Sequence, residues 1–288
     1  MGRLGGQVTK RSDQAGPTVF GCFSVQSVAD AYEKIYLPRI FIPWGKRLIE
    51  RAQLQPGDVV LDVATGPGTV ARLAAERVGP RGRVVGVDIS PAMIAIANGK
   101  PPVPGGAALD YVVSPAAPLA VPDEAFDVVT CQQGLQFFPD RGAAIAEMHR
   151  ALRRDGRLVA AVWREIALQP SFAALDAALR ECLPADQAEP YGAPFRWPRG
   201  EDLVAVLRAG GFSEVVLEEV RLPLVCEQGI PQALATLAAS PVATAVAQLA
   251  HEERATLWAV GARYLAPLVS DGQVRTHMVS NIVSARKR

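Results

Sequence analysis

Short apolar runs alternate with helical patterns through the middle of this chain. Val59–Val63 (VVLDV) reads as a buried strand and Thr69–Val78 as the helix after it. Arg83–Asp88 (RVVGVD) is a second strand, after which Ser90-Pro91 opens a helix. Serine accepts from amides of the first turn, and proline lacks a donor where none is needed. Residues 109–113, 126–131 and 157–163 give three more strands, with a helix over 140–153 ended by Asp155-Gly156. Strands alternating with helices at this spacing predict βαβ units and a parallel sheet. Further on, 171–183 and Gly200–Ala209 read as helices, separated by a loop rich in Pro and aromatics. A long alternating strand over 214–226, two or three Ala/Leu-rich helices over 231–269 and a last strand over 277–285 follow. The helices between the last two strands should cap one end of the sheet, joined there by 20–53.

Composition narrows the classes. The 288 residues carry 30 basic and 29 acidic side chains, a formal net charge of +1. A nucleic-acid binder is unexpected without a basic footprint. No apolar run reaches membrane-spanning length, and the polar, Gly-rich stretch 1–16 has no signal-peptide core. A cytoplasmic protein with a disordered tail is the expectation. Cys22, Cys131, Cys182 and Cys226 lie far apart and form no C-x-x-C pair, so reduced thiols are expected and a metal site is not.

The most informative stretch is Asp62-Val63-Ala64-Thr65-Gly66-Pro67-Gly68-Thr69. A strand ends, a Gly-x-Gly turn follows and a helix begins. Glycine lets backbone approach a ligand, and open α/β sheets bind ligands at the carboxyl ends of their strands. Twenty-six residues after Asp62 the second strand ends in Asp88, placed to accept from ribose hydroxyls. Gly66-x-Gly68-x-x-Ala71 also fits the dinucleotide pattern, so an NAD(P)-dependent oxidoreductase competes. Asp62 argues against it, since a carboxylate aimed into the loop repels pyrophosphate and attracts a cationic ligand. A plain loop-ordering or helix-capping role for Asp62 is the alternative.

Four segments in order, VLDVATGPGTVA (60–71), VVGVDISPAMIAIA (84–97), FDVVTCQQGLQFFPD (126–140) and EMHRALRRDGRL (147–158), carry a family likeness. The sequence resembles the class I S-adenosylmethionine-dependent methyltransferases, in particular the ubiquinone/menaquinone methyltransferase-like branch of small-molecule enzymes. The resemblance implies a Rossmann-like, seven-stranded, mostly parallel sheet with helices on both faces and a helical cap. It divides the chain into a tail (1–19), an N-terminal cap segment (20–53), a cofactor-binding core (54–163), a core completion with insertion (164–230), a helical cap (231–270) and a last strand with tail (271–288). It also implies that Asp62, Ala64, Thr65, Gly66 and Pro67 line the methionine half of S-adenosylmethionine, that Asp88 holds the ribose, and that Ile89 and Met93 pack on adenine. Tyr32 would close over the methionine end. The family's usual aspartate after the third strand is absent. Pro115 stands in its place, leaving backbone near Ser114, Pro115 and Ala116 to read adenine.

Gln132 and Gln133 end an apolar strand, where buried amides need partners, and so are expected beside cofactor and acceptor. Tyr32, Gln133 and His251 are the candidate catalytic residues. Tyr36, Trp44, Gln136, Phe137, Trp163 and Trp197 are expected to grip the acceptor. His149 and His277 are expected to be mainly structural. The activity implied is methyl transfer to O, N or C of a small hydrophobic or aromatic molecule, quinone-like or of natural-product type. A non-methylating descendant of the fold is the third reading, and a homodimer is left open.

Overall fold

The structure, a computed structural model, describes residues 26–197 and 199–288; the expected tail lies outside them. It begins with α1 (Gln26–Ala31), a π-helical stretch (Tyr32–Phe41) and α2 (Ile42–Ala52). The doubly wound part follows: β1 (Val59–Val63), α3 (Thr69–Val78), β2 (Arg83–Asp88), α4 (Pro91–Asn98), β3 (Ala108–Val113), β4 (Phe126–Gln132), α5 (Arg141–Ala151) and β5 (Leu152–Trp163). Then come α6 (Pro170–Cys182), α7 (Ala185–Ala188), α8 (Gly200–Ala209), β6 (Ser213–Cys226), α9 (Ile230–Ala235), α10 (Ala243–Gln248), α11 (His251–Leu265), β7 (Val269–Ser270) and β8 (Gln273–Arg286).

The strands form one sheet in the order β3-β2-β1-β4-β5-β8-β6, with two-residue β7 attached to β8. β1 to β5 are parallel, and β8 runs antiparallel between β5 and β6. The Rossmann-like, mostly parallel sheet is as expected, with eight strands in place of seven because β7 adds a short pair. The chain winds from β1 outward to β3, then returns to β4 on the other side. The switch point lies between β1 and β4, where such sheets open a crevice.

Side-chain alternation along a strand feeds two cores. Val60, Val84, Val128 and Val159 pack on one face with Leu48 and Ala71. Leu61, Val63, Val85, Val129 and Leu158 pack on the other with Ile145, Met148, Leu203 and Leu207. Burial on both sides is why β1 is an unbroken apolar run but for Asp62. Local chemistry sets the helix starts. Ser90 Oγ accepts from Met93 N at 3.3 Å, and Asp140 Oδ1 accepts from Ala143 N at 2.8 Å. Arg157 ties α2 to the sheet, donating to the carbonyls of Ala52 (2.7 Å) and Gln53 (3.0 Å) and to Asp58 (2.8 Å). Among the described residues no helix is long and apolar enough to cross a membrane.

Candidate functional site

A cavity of about 480 Å³ opens at the carboxyl ends of the parallel strands. Every tip contributes: Val63 and Ala64 after β1, Asp88 and Ile89 after β2, Ser114 to Ala117 after β3, Gln132 and Gln133 at β4, and Trp163 at β5. The N-terminal segment closes one side with Tyr32, Tyr36, Ile40 and Phe41.

The loop between β1 and α3 is shaped by backbone of positive φ. Ala64 sits at φ 56° and Gly66 at φ 55°. A Cβ on Gly66 would meet no protein atom within 4 Å, whereas one on Gly68 would lie 2.4 Å from the Tyr111 hydroxyl. Gly66 therefore lines the cavity, while Gly68 packs against the protein.

Asp62 is where expectation and structure part. It is 1% exposed and does not line the cavity. Its Oδ2 accepts from Thr65 Oγ1 (2.6 Å) and Ala71 N (3.1 Å), and its Oδ1 accepts from Thr130 Oγ1 (2.7 Å). All three partners belong to the loop, α3 and β4, so the carboxylate orders the loop from beneath. Burial pushes its pKa up from 3.8 to about 6. Thr65, engaged with Asp62, and Pro67, whose carbonyl accepts from Lys100 Nζ at 2.8 Å, also lie off the cavity wall.

Asp88 is the carboxylate that the cavity holds. Its Oδ2 accepts from Gly66 N (2.8 Å) and its Oδ1 from Ser90 N (2.9 Å). The Ile89 amide also hydrogen-bonds this carboxylate, which leaves about one of its four acceptor positions for a ligand hydroxyl. Burial raises its pKa. The Tyr32 hydroxyl is pushed well above its usual value by burial first and by Asp88 second, so Tyr32 stays a neutral phenol and no base. Glu33, the next residue, is ion-paired with Lys100 at 2.7 Å.

Ile89, Met93, Ser114, Pro115 and Ala116 line one end of the cavity. Ser114 spends its hydroxyl internally, donating to Pro115 O (2.9 Å) and accepting from Ala120 N (3.0 Å). No side-chain acid replaces the one that Pro115 lacks in this lining. At the middle, Gln133 adopts φ 55°, rare for a side-chain-bearing residue. Its Nε2 donates to Ser280 Oγ at 3.0 Å, while its Oε1 is buried without a partner. Gln132 Nε2 donates to Phe41 O at 3.1 Å, linking β4 to the N-terminal segment.

Of the expected acceptor residues, Tyr36, Phe137 and Trp163 line the cavity. Trp44 does not, because it stands behind Trp163, edge to face at 5.2 Å. Gln136 is buried off the wall, and Trp197 packs under the Arg141 guanidinium at 4.2 Å. His251 starts α11 on the exposed surface, away from the cavity. His149 meets Phe212 edge to face at 5.0 Å, a packing role. Phe172, Tyr191, Phe195 and Met278 also line the cavity; the first three are among the large cap aromatics expected to grip an apolar molecule or to glue the cap to the sheet, and Met278 carried no expectation. For Met278 a signal follows from the pairing: Ser280 stands opposite Trp163, so Met278 falls two residues further toward the cavity end.

The cavity thus has an acidic, glycine-framed half and an aromatic half. The first fits a nucleoside, since the Asp88 carboxylate lines it and keeps acceptor capacity and Gly66 leaves space that a Cβ would fill. Residues 61–160 match the family described as a methyltransferase domain. Over 115 residues the chain is 41% identical to the ubiquinone/menaquinone biosynthesis C-methyltransferase UbiE of Xanthomonas campestris pv. campestris, covering 40% of this chain and 46% of that protein. Over 191 residues it is 37% identical to nocamycin O-methyltransferase of Saccharothrix syringae, covering 61% of this chain and 66% of that one. The fold is similar to that of Haemonchus contortus phosphoethanolamine N-methyltransferase 2, solved with phosphomonomethylethanolamine and S-adenosylhomocysteine. The TM-score is 0.56 at 19% identity, over 96% of this chain and 58% of that one. The sequence matches span about half to two thirds of the length of these curated relatives.

Proposed function

We propose, on the premise that residues 61–160 are a class I S-adenosylmethionine-dependent methyltransferase domain, that this chain methylates O, N or C of a small hydrophobic or aromatic molecule, quinone-like or of natural-product type. The observation that carries this reading is the single cavity wall running from Asp88 and Met93 to Phe172 and Tyr191. It gives a nucleoside end and an aromatic end one continuous space.

S-adenosylmethionine, when bound, supplies a methyl group already activated on a sulfonium. The protein's share is then to position the reactants and exclude water. Asp88 would accept from a ribose hydroxyl. Ile89 and Met93 would face adenine, with a thioether suited to a flat ring. Tyr32 would cover the methionine end, and the Gln133 Oε1 would face the transfer region. Residues 26–53 and 231–270 would act as the cap. None of the three histidines lines the cavity, so the acceptor is read as one that needs no histidine base. The same reading takes the protein as cytoplasmic, acting without nucleic acid, and it extends to a homodimer.

Calorimetry with S-adenosylmethionine and NAD(P) tests the cofactor. Binding of S-adenosylmethionine alone is expected, and binding of NAD(P) alone would overturn the reading. Release of S-adenosylhomocysteine with an acceptor then separates a methyltransferase from a non-methylating descendant of the fold.

A further inference from the structure

From Asp88, at the tip of β2, the cavity extends toward the tip of β3, the next strand outward. That end is lined by Ile89, Met93, Ser114, Pro115, Ala116 and Ala117. A base carried on a ribose at Asp88 lies among these residues.

Their side chains offer contact to a flat ring and almost nothing to hydrogen-bond. All but Ser114 are apolar, and the Ser114 hydroxyl is committed: it donates to Pro115 O at 2.9 Å and accepts from Ala120 N at 3.0 Å. Ser114 N is committed too, donating to Asp88 O at 2.9 Å. Ser90 Oγ, also on the wall, caps α4 through Met93 N. Pro115 brings neither an N–H nor a polar side-chain atom. The other carboxylate on the wall, Asp140, is exposed and caps α5, accepting from Ala143 N at 2.8 Å.

This end also opens on water. Ile89 is 57% exposed, and Pro115 and Pro139 are exposed with it. A polar group on the outer edge of a base keeps its hydration there, so it gains no protein partner and loses no water.

We propose that the cofactor pocket leaves the 6-amino group of the purine unread, with Pro115 as the residue that sets this tolerance. S-adenosyl ligands whose amino group is removed or alkylated then bind nearly as well as the unmodified one. A pocket built to hydrogen-bond a group rejects a ligand that lacks it, because the pocket's own polar atoms are left unpaired. Here no side chain of the lining is left unpaired. Affinity comes from ring contact with Ile89 and Met93 and from the ribose at Asp88. The inference rests on the S-adenosylmethionine reading and adds which variants of that cofactor the site takes.

Titration calorimetry of the full chain tests it with three ligands: S-adenosylhomocysteine, its analogue with hydrogen in place of the 6-amino group, and its analogue with that amino group methylated. Both analogues keep the ring nitrogens, so a main-chain amide bonded to the ring contributes equally to all three. The wild type is expected to bind the three within about threefold of one another. Pro115→Asp sets an ionised acceptor at this exposed edge. It is expected to favour S-adenosylhomocysteine over the deaminated analogue by about tenfold or more, the worth of a hydrogen bond to a charged group. Pro115→Ala, which adds no side-chain acceptor, is expected to keep the wild-type tolerance. A thermal melt establishes that each variant folds, and if Pro115→Asp does not, the wild-type comparison decides alone. A wild type that loses about tenfold or more with the deaminated analogue overturns the proposal. Unchanged selectivity in a folded Pro115→Asp equally overturns it. A chain that binds none of the three ligands fails the S-adenosylmethionine reading itself, whereas S-adenosylhomocysteine binding with strong discrimination removes only this inference.

Discussion

Lys100 Nζ stands 2.7 Å from Glu33 Oε1, a tie that holds the N-terminal segment to the loop after α4. The same ammonium donates to Pro67 O at 2.8 Å. Both side chains are largely shielded, with 19% and 28% of their surface exposed. Such a pair is worth about 1 kcal/mol. Lys100→Met should therefore weaken S-adenosylhomocysteine binding about fivefold, with little change in unfolding temperature. Calorimetry and a thermal melt check it, and unchanged affinity would show that this tie does not hold the lid.

Asp88 should dominate cofactor affinity. Asp88→Ala removes the acceptor proposed for a ribose hydroxyl and releases the amides of Gly66, Ile89 and Ser90. A loss of about 1–3 kcal/mol in S-adenosylhomocysteine binding is expected. Asp88→Asn, which keeps one oxygen, should lose less. Titration calorimetry of both variants makes the comparison. Equal affinity in all three proteins would place the ribose elsewhere.

Two neighbouring glycines should fail in different ways. At Gly66 an added Cβ meets only the cavity, but φ is 55°. Gly66→Ala should cost about 1 kcal/mol of stability for that backbone and a larger share of cofactor affinity. At Gly68 the Cβ would collide with Tyr111. Gly68→Ala should show its larger loss in chemical denaturation. The reverse order would contradict the assignment of the cradle to Gly66.

Asp62 gives a pH dependence with a definite sign. Folding raises its pKa from 3.8 to about 6, mainly through burial. Between those values the folded state binds more protons than the unfolded one, so this group's contribution to stability falls as pH rises. The unfolding free energy of the wild type relative to Asp62→Asn should be about 1 kcal/mol smaller at pH 7 than at pH 5. Urea unfolding at both pH values measures it. A difference that grows with pH would mean the carboxylate is stabilised by charge, as a surface loop acid would be.

That last case shows what the sequence could and could not reveal. The spacing of apolar runs located β1, β2 and β4 and the Gly-x-Gly turn, because a buried parallel strand leaves a continuous apolar run. It located Asp88 at a strand tip for the same reason. The direction of the Asp62 side chain was not legible. It depends on Thr65 and Thr130, and Thr130 is 68 residues away, on a strand whose adjacency to β1 only the topology supplies. Trp44 and Trp197 show the same limit. Their size marked them as pocket candidates, yet Trp163 and Arg141 take their faces. Which of the cap aromatics face the cavity was not legible either: Tyr191 lies in an irregular 3₁₀ segment (Glu189–Phe195), where no periodicity indicates a facing direction.

The aromatic wall has a consequence for re-engineering. Tyr36 precedes α2, Trp163 ends β5, Phe172 lies in α6, Tyr191 and Phe195 follow α7, and Met278 comes from β8. No single stretch of chain holds the pocket, so transplanting one peptide from a relative would exchange only part of it. Changing acceptor choice would need small, coordinated libraries at several distant positions. The glycine loop and Asp88, being on other segments, could stay fixed as a common chassis.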